Sequence, residues 1–230
     1  MKKSLDEIKK GYPLEKQKSD TLWVKIFIRR LSFYLTWILV RLNISAWQVS
    51  VFSIIVPIVA LIFWVRLEAI TAAVLLNIWL LLDCVDGNIA RLEGENKGGQ
   101  FVDASSGYMT VGTFGLGLGI YLDLAGINFY NITTPWFTAI GGAAAILNLM
   151  ARLYHQKFIN VMSQNINVEK NKNDGILSLI ERNIGIGGFL TPITFLCVIL
   201  NKIHFLLILY FLYSASLYLK TGGELLKKAK

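Results

Sequence analysis

The chain has 230 residues, of which 54% are hydrophobic and 17% charged, and its net charge is +8. That composition excludes an ordinary soluble domain, because several apolar runs approach the roughly 20 residues a helix needs to cross a bilayer. The runs are too many and too internal for a signal peptide. The positive charge lies in the tails and alternate loops and no nucleic-acid-binding motif accompanies it, so membrane lipids are the expected partner and nucleic acid is not.

Residues 1–20 are polar and lysine-rich and read as a cytoplasmic tail. Residues 22–42 are apolar but carry Lys25, Arg29, Arg30 and Arg41, with Trp23, Phe27, Phe33, Tyr34 and Trp37 between them. Lys25 and Arg29, four apart, fall on one helical face. Basic charge and aromatic bulk together predict an amphipathic helix lying in the membrane interface. Asn43-Ile44-Ser45 then offers a turn, with Ser45 as N-cap of the next helix.

Six spans follow: 47–65 (with Pro57 inside), 69–91, 99–122, 136–160, 187–200 and 204–219. Span three is rich in glycine, and Gly115 and Gly119 form a GxxxG pair that permits close helix approach. Residues 161–183 form a polar loop with a short amphipathic turn expected around Ile176 to Ile180, and the chain closes on a basic tail. The charges test this layout. Both tails and the loops after spans two and four hold most of the Lys and Arg, while the other three loops hold only Arg66 and Lys202. Six spans therefore place both termini on the cytoplasmic side; a seventh span at 22–42 would put the N-terminal lysines outside. Cys84 and Cys197 are far apart in sequence and neither has a second thiol at ligand spacing, so both read as small apolar fillers.

The chemistry concentrates at the cytoplasmic ends of spans two and three. In a helix Asp83, Asp86, Gly87 and Ala90 line one face, and on the next helix Gly99, Asp103 and Gly107 do the same. A short loop makes the two helices antiparallel neighbours, with the acids facing each other across a gap. Carboxylates at a bilayer edge are costly and need a reason. Three hard oxygen donors suit Mg²⁺ or Mn²⁺ better than Zn²⁺. Gly87 and Ala90 strip bulk from the same face, and the Arg91 fork suits phosphate oxygens. The plainer reading, acids that only snorkel to water and pair with Lys97 or Arg91, explains two acids but not the whole set.

Those residues carry a resemblance. Asp83-x2-Asp86-Gly87-x2-Ala90-Arg91, followed by Gly99-x3-Asp103, resembles the signature of the CDP-alcohol phosphotransferases (CDP-alcohol phosphatidyltransferases), and Asn43 to Ser50 is similar to that family's approach to its first span. The resemblance covers nearly the whole chain. It implies an all-α integral membrane protein with six transmembrane helices behind an N-terminal interfacial amphipathic helix: residues 1–45 as tail and interfacial helix, 46–220 as the membrane domain, and 221–230 as a basic tail. It implies transfer of a substituted phosphate from a CDP-linked alcohol donor to the hydroxyl of a lipid, polyol or glycan acceptor, with release of CMP. It further implies Asp83, Asp86 and Asp103 as ligands of Mg²⁺ or Mn²⁺, Gly87, Ala90, Arg91 and Gly99 around the CDP moiety, an active site on the cytoplasmic side, and a homodimer.

Two departures from the signature stand out. The spacer between Arg91 and Gly99 is seven residues rather than about eight, and the fourth aspartate, usually the general base, is replaced by Gly107. Ser105, Ser106 and Tyr108 are no substitute at neutral pH. In span four, His155 is a candidate base and Arg152 a candidate contact for a substrate anion. The loss at 107 keeps a second reading open: a relative that binds a CDP-linked ligand, or supports a membrane assembly, without catalysis. An ion channel or transporter is a third, and fits poorly because the acids cluster at one membrane edge.

Overall fold

The computed structural model describes residues 4–94, 97–162 and 185–228. Most of the expected loop at 161–183, with its amphipathic turn, lies outside the described residues. The described residues are helical throughout, with one isolated bridge between Phe129 and Ile132 and no strand. In chain order they form α1 (Leu5–Lys10), α2 (Leu14–Ser19), a π-helical turn (Val24–Ile28) running into α3 (Arg29–Arg41), α4 (Ala46–Val65), α5 (Ala69–Glu93), α6 (Lys97–Leu124) and α7 (Trp136–Met162). A second π-helical turn (Ile186–Leu190) leads into α8 (Thr191–Ile199), and α9 (Ile203–Lys228) ends the fold.

Local signals set these boundaries. Ser45 caps α4 as expected and forms a reciprocal capping box with Gln48. Asn43 takes a left-handed conformation (φ 57°) in the turn before it. Gly94 (φ 93°) ends α5, where a side chain would be strained.

Among the described residues, four helices are long and apolar enough to cross a membrane: Ala46–Val65, Ala69–Glu93, Trp136–Val161 and Ile203–Lys227. The protein is therefore an integral membrane protein. The fifth expected span is a shorter apolar stretch, Ile186–Ile199. α6 is long enough at 28 residues, but its glycines, serines and threonines dilute its apolar character. Lipid-facing side chains are large and apolar, including Phe52, Ile55 and Ile62 on α4 and Ile70, Val74 and Ile78 on α5.

α3 is amphipathic, but Lys25 and Arg29 do not share a face as their spacing predicts. The π turn before it adds a residue to the helical turn and breaks the 25/29 register, so Lys25 is exposed and Arg29 is only 7% exposed. Arg29, Ser32 and Thr36 form a polar stripe turned inward, while Phe27, Leu31, Tyr34, Ile38 and Leu42 face outward.

The packing order also departs from a simple antiparallel pair. α5 and α6 touch each other little; α4 packs extensively against both, α6 against α7, and α7 against α9. A polar seam explains the position of α4. Ser53 Oγ is 2.8 Å from Ser106 Oγ on α6, and Trp79 Nε1 of α5 donates to the same oxygen at 2.8 Å. Ser106 is thereby bonded to both neighbouring helices inside an otherwise apolar core.

Candidate active site

At the motif-bearing C-terminal end of α5, the helices leave a cleft of about 370 Å³. Its walls include Asp83, Asp86, Gly87, Ala90 and Arg91 from α5, Gly99 and Asp103 from α6, Ala46 and Ser50 from α4, and Lys16, Asp20 and Arg29 from the N-terminal region. Every residue expected from the two motif blocks is therefore in one cavity. The helical spacing places them: α5 presents 83, 86, 87 and 90 on one face, and α6 begins early enough for 99 and 103 to share another.

The Asp83 and Asp103 carboxyl groups lie in hydrogen-bonding contact, and Asp86 is close enough to interact with both electrostatically. Asp86 is buried, and its Oδ2 accepts from Ser50 Oγ at 2.7 Å. Two carboxylates in contact repel unless a cation or a proton lies between them. The donor chemistry, hard oxygens only, fits a divalent ion such as Mg²⁺ or Mn²⁺. Among the described residues no three His, Cys, Asp or Glu side chains are already gathered around one ion position.

Arg91 curls back over Gly87. A Cβ at position 87 would rest in van der Waals contact with the guanidinium, 3.4 Å from Arg91 Nη1. Arg91 Nη2 donates to Asn88 Oδ1 at 2.7 Å. The same oxygen accepts from Arg29 Nη1 at 3.2 Å, and Arg29 forms a two-pronged pair with Asp20, at 2.9 Å from Nε and 2.8 Å from Nη2. Tyr12 lies against both guanidiniums, 4.5 Å from Arg29 and 5.5 Å from Arg91, and its hydroxyl donates to Asp20. Burial and the bond to Asp20 push the Tyr12 phenol well above its ordinary range, so it remains a donor.

Two expected residues are elsewhere. Arg152 is exposed on α7, where its Nε donates to Asn148 Oδ1 at 3.1 Å, and it does not line the cleft. His155 is exposed one turn further along, also away from the cleft lining. A Cβ at Gly107 would meet nothing within 4 Å.

Sequence reasoning missed the contribution of the N-terminal region. Lys16, Asp20 and Arg29 line the cleft, and Tyr12 backs it. A signal was present: Arg29, Ser32 and Thr36 recur at i, i+3 and i+7 in an apolar segment, a polar stripe that needs an internal partner. That partner is Asn88, which occupies an unspecified position of the signature and gave no signal of its own.

Residues 43–217 match the CDP-alcohol phosphatidyltransferase family, so the chain belongs to that family. Its reaction class is transfer of a phosphatidyl group from a CDP-alcohol. Comparison with individual curated proteins gives no match.

Proposed function

We propose that the protein is a divalent-metal-dependent membrane enzyme that moves a substituted phosphate from a CDP-linked alcohol to the hydroxyl of a lipid, polyol or glycan, releasing CMP, in phospholipid or related glycolipid or glycan synthesis. The observation that carries the proposal is the gathering of Asp83, Asp86, Asp103, Gly87 and Arg91 in one cleft of a chain of this family. In this reading the acceptor oxygen bonds to the phosphorus carrying the donor's alcohol, the bond from that phosphorus to CMP breaks, and the hydroxyl proton leaves to a base.

Asp83, Asp86 and Asp103 would hold Mg²⁺ or Mn²⁺, which when bound neutralises pyrophosphate charge and favours CMP departure. Gly87, Ala90 and Gly99 keep the cleft wall low enough for the nucleotide to approach the backbone. Arg91 meets phosphate oxygens with its planar fork. Arg152 remains a candidate contact for a more distant anionic group of the acceptor. With glycine at 107 the proton must be taken by some other group, and the adjacent serines are already engaged: Ser105 Oγ donates to Phe101 O and Ser106 is bound in the seam.

A groove of about 440 Å³ lined by Trp23, Phe27, Leu31, Val74, Ile78 and Phe195 lies on the outer face formed by the first π turn, α3, α5 and α8. It supports a substrate with an apolar portion. The charge pattern of the loops supports six spans, counting α6 and the Ile186–Ile199 stretch, with α3 at the interface and both termini and the cleft on the cytoplasmic side. Likeness to the family supports a homodimer.

The missing acid at 107 favours one alternative, a protein that binds CDP-linked ligand without turning it over. The test is CMP release by the purified full chain with Mg²⁺ or Mn²⁺ across a panel of CDP-alcohols and acceptors. Release with any pair establishes the enzyme. Tight metal-dependent CDP binding with no release from any pair establishes the binding protein instead.

A further inference from the structure

Asn88 is 4% exposed, and both ends of its carboxamide are engaged. Its Oδ1 accepts from Arg91 at 2.7 Å and from Arg29 at 3.2 Å. Its Nδ2 donates to Ser32 Oγ at 3.2 Å and to Thr36 Oγ1 at 3.1 Å. An amide has two acceptor lone pairs and two donor hydrogens, so Asn88 is fully satisfied. The two α3 hydroxyls that receive its hydrogens are completely buried and leave the carboxamide one orientation. Ser32 Oγ is itself oriented, because it donates to Arg29 O at 2.9 Å.

This arrangement settles a problem of charge. Arg29 and Arg91 are like-charged, and each lowers the other's freedom to approach the same wall. A single carbonyl oxygen, aimed by α3, draws both. Arg29 is neutralised locally by Asp20 and capped by Tyr12, whereas Arg91 makes no ion pair with any carboxylate among the described residues. Its charge is therefore held in place by a neutral group and kept for an anion. A carboxylate at position 88 would orient the same fork but cancel that charge.

We infer that Asn88 is the positioning residue of this site: tethered by Ser32 and Thr36, its carbonyl fixes the Arg91 guanidinium over Gly87, facing the substrate's phosphate. The inference makes α3 part of the substrate-binding unit, although its residues precede the family-matched segment. It rests on the assignment of Arg91 to the CDP moiety proposed above.

A double-mutant cycle tests it, with CDP and Mg²⁺ as the probe and the full chain in detergent or nanodiscs. Arg91→Ala alone is expected to weaken CDP binding strongly. Asn88→Leu alone is expected to weaken it about tenfold, the lower range for loss of a supporting partner. Asn88→Leu added to Arg91→Ala is expected to cost nothing further, because its effect passes through the guanidinium. Ser32→Ala/Thr36→Val, which keeps the carbonyl and removes its tether, carries the same cycle with a smaller loss should Asn88→Leu not fold. Additive losses for both sets overturn the inference, since they mark a general structural effect, and so does unchanged affinity of the Asn88→Leu protein. CDP affinity unchanged by Arg91→Ala overturns the assignment of Arg91 itself, and this inference with it. Asn88→Asp adds a further check: it is expected to keep the fold and lose CDP affinity, because the added charge pairs with Arg91.

Discussion

The two halves of α6 use the same residue for opposite ends. Near its start Gly99 lines the cleft and Gly107 faces open space. Further along, a Cβ on Gly115 would lie 2.7 Å from Gly141 O, one on Gly119 would lie 2.3 Å from Phe137 O, and one on Gly141 would lie 2.2 Å from Gly115 O. In the first half the missing side chains leave open space along the helix. In the second half they bring α6 and α7 into backbone contact. The lesson is that glycine content in a membrane helix has no single meaning; what the missing methyl would have touched decides it.

The comparison can be broken from either side. The largest effect belongs to the cleft. Asp83→Asn should lower Mg²⁺-dependent CDP binding by at least about 100-fold, as loss of an ion ligand at several kcal/mol implies. The same variant should melt higher than wild type without metal, because an amide replaces one of two facing carboxylates. Calorimetric titration and thermal unfolding in detergent read the two effects, and unchanged CDP affinity removes Asp83 from the ligand set. Next comes the packed half. Gly141→Ala should destabilise by about 3 kcal/mol, the upper end for overpacking, because its obstacle is backbone. Gly142→Ala, whose Cβ meets nothing within 4 Å, should stay within about 0.5 kcal/mol of wild type. Equal melting temperatures for these two variants contradict the close approach of α6 and α7.

A smaller effect is expected at the N-terminal rim. Tyr12→Phe keeps the ring against both arginines and removes the hydroxyl that binds Asp20, a loss of about 1 kcal/mol. Limited proteolysis of the segment around α2 should detect it as faster cleavage, with CDP affinity changed by only a few fold. The smallest change is expected at Gly107→Asp. The position is open, so stability should move by less than about 0.5 kcal/mol. CMP release should change by less than about tenfold if the proton is already taken elsewhere; a rise toward the 100-fold or more that a positioned base supplies identifies 107 as the vacant base position.

Much of the site was legible because its chemistry is local. Asp83, Asp86, Gly87, Ala90 and Arg91 fall on one face of a single helix whatever surrounds it, and Gly99 and Asp103 repeat the pattern on the next. The membrane character followed from apolar run lengths, and the GxxxG pair marked a helix contact that α7 supplies. The number of spans was less legible. α6 falls short in hydropathy, because glycine and hydroxyl side chains dilute it, and the Ile186–Ile199 stretch falls short in length.

By itself, then, the sequence determined an all-α membrane protein of the CDP-alcohol phosphatidyltransferase family and most of the residues at its acidic cleft, because helical periodicity and the cost of burying charge act over a few residues. Only the tertiary structure decided that α4 packs against both motif helices, that Arg29 turns inward, and that Tyr12, Asp20 and Asn88 hold the arginines at the cleft. Those contacts join residues as far apart in the chain as Tyr12 and Arg91. A π turn redirects the basic face of α3, and no spacing rule read along the chain reports which buried hydroxyls an asparagine will meet.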